Sequence, residues 1–186
     1  TQGVSSAASD VYKRQELVTE RARAKEILFE YNNLHPSEME KRTEILKHFL
    51  GATGKQLLIE QPFRCDYGYN IRVGENFYAN MGCTILDEAL VTFGGNVLLA
   101  PNVSIYTAGH AVNVAQRIVG WEYAYPVTVG HNVWIGGNVV ILPGVSIGDN
   151  SIIGGGSVVT KDIPANVIAV GNPCKVIREL TEDELK

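Results

Sequence analysis

The sequence predicts a mainly β protein, a parallel β-helix of hexapeptide repeats carrying an N-terminal helical pair and a short C-terminal helix. Three observations lead there. Residues 127–163 divide every six residues into VTVGHN, VWIGGN, VVILPG, VSIGDN, SIIGGG and SVVTKD, closing on Ile163. One register of small or branched residues recurs at Val127, Val133, Val139, Val145, Ser151, Ser157 and Ile163. A second, aliphatic register comes two residues later at Val129, Ile135, Ile141, Ile147, Ile153 and Val159. A ruling period of six is neither helical nor that of a simple hairpin, and it marks a parallel β-helix. Each hexad is one short flat side and three make a coil. Aliphatic side chains point inward while Gly, Asn and Asp supply the corners. One coil cannot bury its apolar face alone, so coils must stack.

The chain is long enough for one domain with a helical appendage, and 45% hydrophobic content supports a core. Nineteen glycines with few Phe or Trp suit a thin solenoid. A formal charge of −4 argues against nucleic acid as a partner. Cys65, Cys83 and Cys174 form no C-x-x-C pair and read as reduced thiols of a cytoplasmic protein. There is no apolar run of membrane-spanning length, so no membrane partner is expected, and no secretory signal is visible.

In order, residues 1–15 (TQGVSSAASDVYKRQ) do not match the rest of the chain and read as a non-native or disordered leader. Residues 16–54 form the helical segment. Leu17, Ala22, Ile27, Leu28 and Tyr31 give the stripe of a first helix, which His35-Pro36 ends. Ser37 is placed to cap a second helix, with Glu40 in the capping-box position and Gly51 as its stop. Residues 55–170 form the solenoid, led in by the alternating Ile59, Phe63, Tyr67 and Tyr69. The step from Ile85 to Phe93 is eight, so two residues are inserted around Asp87-Glu88. The step from Ile105 to Val129 is 24, a multiple of six, so residues 106–126 leave the coil and return in phase. Long excursions of this kind tend to be functional. In residues 171–186, Thr181 and Glu184 are spaced to cap a short terminal helix.

Chemistry concentrates where the rhythm breaks. His110 stands in the excursion, in YTAGHAVNVAQR, and a neutral imidazole is a natural general base. Asn80, in FYAN, replaces the usual Gly; it either binds substrate or is a corner Asn in left-handed geometry. Asp87 and Glu88 either hold a sugar hydroxyl or form a solvated turn. Nucleotide-loop, nucleophile-elbow and zinc-spacing motifs are absent.

The hexads, FYAN at 77–80, TAGH at 107–110, the run at 131–162, GNPCKVIREL at 171–180 and the opening RARAKEILFEYNNLHPSE at 21–38 together resemble the maltose and galactoside O-acetyltransferases. These are hexapeptide-repeat acyltransferases that fold as left-handed parallel β-helices. The resemblance covers residues 16–180. It implies acetyl-CoA as donor, no metal, a sugar acceptor and a homotrimer with sites between subunits. It casts His110 as the base in direct transfer without an acyl-enzyme, and Asn80 as its partner at the reacting region. Arg21, Tyr78 and Glu88, with Asp87 beside it, fall on the acceptor side. Trp134, Gly137 and Gly155 fall along the pantetheine arm, and Thr160, Lys161, Lys175 and Arg178 where the adenosine phosphates bind. One departure is Tyr12, which stands where the family usually has an acceptor-contacting acid. Three other readings stay open: a hexapeptide metalloenzyme of the γ-carbonic-anhydrase type using His110 and His131, an acetyltransferase with a non-sugar acceptor, and a trimeric scaffold without catalysis.

Overall fold

A computed structural model describes the backbone from Ala7 and side chains from Gln15 to Lys186. Three parallel faces wind into a solenoid. The first stacks Leu57–Ile59, Phe77–Ala79, Leu98–Leu99, Trp134–Ile135, Ile152–Ile153 and Val167–Val170, and Lys175–Glu179 then closes it antiparallel. The second stacks Arg64–Cys65, Thr84–Leu86, Ser104–Tyr106, Val140–Ile141 and Val158–Val159. The third stacks Ile71–Val73, Val91–Phe93, Val127–Val129 and Ser146–Ile147. Both repeat registers point inward. Val127, Val139, Ile135, Ile141, Ile153 and Val159 are all fully buried. The two serines in the first register are buried as well, and each has its hydroxyl satisfied. Ser151 Oγ donates to the Pro164 carbonyl at 2.8 Å, and Ser157 Oγ accepts the Gly171 N–H at 2.9 Å.

The corners work as the repeat requires. Asn76, Asn96, Asn132, Asn150 and Asn166 all have φ between 55 and 61°, a region few other L-residues tolerate. They stack above one another where the third face turns into the first. Each Nδ2 donates to the next Oδ1 at 2.9, 2.9, 2.9 and 2.7 Å.

Coil length is not constant. Ile135 pairs with Ile153 and Ile141 with Val159, a spacing of 18. In the first coils Ile59 pairs with Ala79 and Cys65 with Ile85, a spacing of 20. The extra residues always fall where the second face turns into the third. Cys65 to Val73 and Ile85 to Phe93 are both steps of eight. The long excursion leaves from this same corner, between Ile105 and Val129. It is structured: Ala108–His110 and Glu122–Ala124 form an antiparallel hairpin, with a short helix at Val114–Ile118 between them.

The helical appendage docks beneath this corner. Helix α1 runs Ala7–Asn33 and α2 Met39–Phe49. Asn32 bonds both the N–H and the carbonyl of Phe63 at 2.9 Å, and Tyr31 Oη donates to the Ile59 carbonyl. The buried Arg42 reaches Ile59 O and Glu60 Oε2, each at 3.0 Å. Gly68 has φ +81°, and a Cβ there would lie 2.5 Å from the Phe49 ring, so glycine lets α2 press against the corner.

Three expectations need correction. Glu16 is not a structural boundary, because α1 already begins at Ala7; residues 1–6 and the Tyr12 side chain lie outside the described residues. Ser37 does not cap α2. His35 Nδ1 lies 2.7 Å from Ser37 Oγ, so that hydroxyl is spent on the preceding turn, and the residue at the N-cap is Glu38, whose Oε2 accepts the His35 N–H and makes no cap bond. The terminal helix is a single turn. Thr181 and Glu184 do bond reciprocally, but Glu184 is also claimed by Arg178, and residues 182–185 form a turn rather than a helix.

Candidate active site

The corner between the second and third faces brings together Asp87, Glu88 and Arg21 of the residues expected on the acceptor side, but not Tyr78. Asp87 is fully buried, and its carboxylate accepts the N–H groups of Asp66 (3.0 Å), Tyr67 (2.8 Å) and Gly68 (2.8 Å). It is therefore neither a sugar ligand nor a solvated turn: every direction it faces is taken by the loop one coil below. Burial raises its pKa, and those backbone donors pull it back. Glu88, next along, is half-buried and open to a ligand. Thr107 Oγ1 donates to Leu86 O at 2.8 Å, lies 3.3 Å from Glu88 Oε2, and accepts the Ala89 N–H at 3.0 Å. Burial, then the adjoining Asp66 carboxyl, push Glu88 up to about 7. Arg21 arrives from α1 and lies over the Tyr67 ring at 5.9 Å, with Nη1 3.4 Å from its hydroxyl.

The Glu88 shift has a measurable sign. The folded chain holds this proton up to about pH 7, whereas an unperturbed glutamate releases it near 4.5. Between those values the folded state binds more protons, so its contribution to stability is lost as pH rises across the window. Glu88→Gln is expected to flatten the dependence of the urea midpoint between pH 4.5 and 7 and to raise the midpoint at pH 8. An unchanged slope would refute this account of the corner.

Asp66 and Tyr69 are the residues that sequence reasoning passed over here. The signal was available: Cys65 to Val73 repeats the eight-residue step of Ile85 to Phe93, which stacks Asp66–Gly68 on Asp87.

His110 stands above this corner at the end of the outgoing hairpin strand. It is three residues beyond Thr107, or about 10 Å of extended chain. Its cross-strand partner is Glu122, and His110 Nδ1 lies 3.6 Å from Glu122 Oε1, both side chains being more than half exposed. That is beyond hydrogen-bond range. Gly109 lets the Tyr123 ring lie against the strand, since a Cβ would fall 2.5 Å from its hydroxyl and push the ring aside.

The other expected residues lie elsewhere. Asn80 sits where the first face turns into the second, with Oδ1 accepting the Met81 N–H at 2.8 Å. It is not among the left-handed asparagines, so corner geometry does not explain it. Gly137 and Gly155 stack at the same corner higher up, and Gly156 N–H donates to Gly137 O at 2.8 Å. Lys175 tops that corner. Tyr78, Leu98, Trp134 and Ile152 form an outward column on the first face, in register with Ile168 and Arg178, and Trp134 is 52% exposed. Arg178 is held bidentately by Glu184, both contacts 2.7 Å. Thr160 and Lys161 lie exposed on the acceptor-side corner, separate from Lys175 and Arg178. His131 is at the third corner, where Nδ1 accepts the Gly95 N–H at 3.0 Å. Among the described residues no three His, Cys, Asp or Glu side chains stand together as metal ligands.

The candidate residues thus fall into two groups on two edges of one hexapeptide-repeat solenoid. Two family models match: the maltose acetyltransferase hexapeptide capping motif over residues 8–54, and the bacterial transferase hexapeptide (six repeats) over 126–161. The galactoside O-acetyltransferase of Escherichia coli K12 is 51% identical over 166 residues, 89% of this chain and 82% of that protein. A galactoside acetyltransferase solved in complex with coenzyme A superposes with a TM-score of 0.88 at 50% identity, covering 91% and 84% of the two chains. A maltose O-acetyltransferase from Clostridium difficile 630 gives 0.88 at 55% identity, covering 89% of each. The chain belongs to the maltose and galactoside O-acetyltransferase family and is an acyltransferase.

Proposed function

We propose that this chain transfers acetyl from acetyl-CoA to a sugar hydroxyl by direct attack, with His110 as general base. The observation that carries the reading is the excursion. It lifts His110 clear of the solenoid on a two-stranded arm that leaves from the corner holding Glu88, and no packing role accounts for it. With Nδ1 turned to Glu122, Nε2 takes the acceptor's proton as its oxygen attacks the thioester carbonyl. Collapse of the tetrahedral intermediate expels the CoA thiolate, and the imidazolium returns the proton to it, leaving ester and free thiol. Asn80 holds the reacting region, while Glu88, Arg21 and Tyr78 bind the acceptor.

Coenzyme A bound to a relative half identical to this chain supports the donor. The outward, exposed Leu98 and Trp134 give an apolar wall for the pantetheine arm, and Gly137 and Gly155 leave backbone groups approachable beside it. Lys175 and Arg178 serve the phosphate end, Arg178 exchanging Glu184 for a phosphate, and Thr160 and Lys161 reach it from the facing edge of a neighbouring chain. Because donor-side and acceptor-side residues occupy different edges, a homotrimer that sets one chain's excursion against its neighbour's first face completes the site. Three buried free thiols suit a cytoplasmic setting, and no described helix is long and apolar enough to cross a membrane.

The test is thiol release from acetyl-CoA with glucose, galactosides and maltose. Release well above hydrolysis with at least one sugar is expected. Release with amines alone would move the acceptor to another class, and release with nothing would refute transfer to a sugar.

A further inference from the structure

The space between α1 and the corner takes no part in the chemistry above. It is a cavity of about 220 Å³ lined chiefly by Glu20, Arg23, Ile27, Phe49, Tyr67 and Tyr69. A second hollow of about 320 Å³ continues it along the two helices, sharing Arg23, Ile27 and Phe49 and adding Glu30 and Glu44. The walls divide by chemistry. Ile27 and Phe49 form an apolar floor, and the Tyr67 and Tyr69 rings stand 5.5 Å apart at 45°. Glu20 and Arg23 bring opposite charges to the rim, and Glu20 Oε2 accepts the Tyr69 hydroxyl at 2.7 Å.

An aromatic and aliphatic floor under a charged rim matches a sugar ring, whose C–H face is apolar and whose edge carries hydroxyls. The inner cavity is smaller than the sites of about 300 Å³ or more that take drug-sized ligands, and so has room for one ring. Tyr67 fixes its relation to the acceptor corner. Asp87 holds its N–H, Arg21 meets its hydroxyl, and one face of the ring lines the cavity. Tyr67 thus touches both the cavity and the acceptor corner.

We propose that the cavity is a subsite for a second ring of an oligosaccharide acceptor whose first ring lies between Glu88 and His110. The proposal rests on the O-acetylation reading and adds that the preferred acceptor has two rings or more. Arg23 is exposed and lies outside the catalytic set, so Arg23→Ala tests the subsite without threatening the fold. Steady-state kinetics with glucose and with maltose are measured for wild type, Arg23→Ala and Tyr69→Ala. The expected result is a loss of about tenfold in kcat/KM for maltose, carried by KM, with glucose within about twofold of wild type. Turnover on both sugars that the variants change equally, or not at all, overturns the subsite alone. Turnover on neither sugar by the wild type overturns the O-acetylation reading and the subsite with it.

Discussion

His110→Ala is expected to lower kcat by about 10²- to 10⁴-fold while KM for either substrate changes little, the range that a positioned general base supplies. The ring makes no packing contact that the fold needs. Its side chain is 61% exposed, and the hairpin is held instead by main-chain pairing of Ala108–His110 with Glu122–Ala124. The variant should therefore keep the melting temperature of the wild type, and the lost rate can be assigned to chemistry. Release of thiol from acetyl-CoA in the presence of a saturating acceptor is the measurement. A variant within threefold of wild type would remove His110 from the mechanism. Glu122→Gln gives the companion result. It keeps the shape and removes the charge 3.6 Å from Nδ1, and it should cost far less than loss of the imidazole, because at that distance Glu122 orients the ring without sharing a proton.

Asp87→Ala is expected to act on the fold and to be the most destabilising single change in the corner. It leaves the N–H groups of Asp66, Tyr67 and Gly68 without their acceptor in a site where Asp87 itself is 0% exposed. Each buried donor left unpaired costs about 1–3 kcal/mol, so a loss of about 3–5 kcal/mol is expected after the loop partly rehydrates. Asp87→Asn keeps an acceptor oxygen but turns an NH₂ toward one of the three donors, and should fall between. Urea midpoints decide it: an Ala variant within about 1 kcal/mol of wild type would show that the loop holds itself. The two neighbouring carboxyls thus have different duties. Asp87 builds the corner, and Glu88 faces out of it.

That division marks how far the sequence could be read. The sixfold period identified the solenoid because the period is itself the structure: two residues in each hexad must point inward, whatever the neighbours do. The 24-residue step from Ile105 to Val129 likewise located the excursion, since a chain that leaves a stack must return in phase. What stayed hidden depends on which corner stacks on which. Asp87 looks like a surface acid until the loop at Asp66–Gly68 is placed one coil below it, with three N–H groups aimed upward. Asn80 and His110 look like partners in sequence order, yet they stand on different edges of a single chain. The ends of the elements were hidden too. Ser37 and Glu184 both have the right neighbours for caps, but each is drawn to a competing partner that only the folded chain brings near.

The strand Lys175–Glu179 has a consequence beyond closing the first face. A stack of parallel strands whose asparagines bond in one direction from coil to coil has the hydrogen-bond pattern of an amyloid protofilament, and its open end is a template for another copy. Here the last layer runs backwards. Its free edge offers the opposite polarity of N–H and C=O to any coil arriving in parallel, and it carries Lys175, Arg178 and Glu179, all exposed. On this face the parallel stack therefore ends in a reversed, charged layer, which disfavours parallel addition of another molecule there.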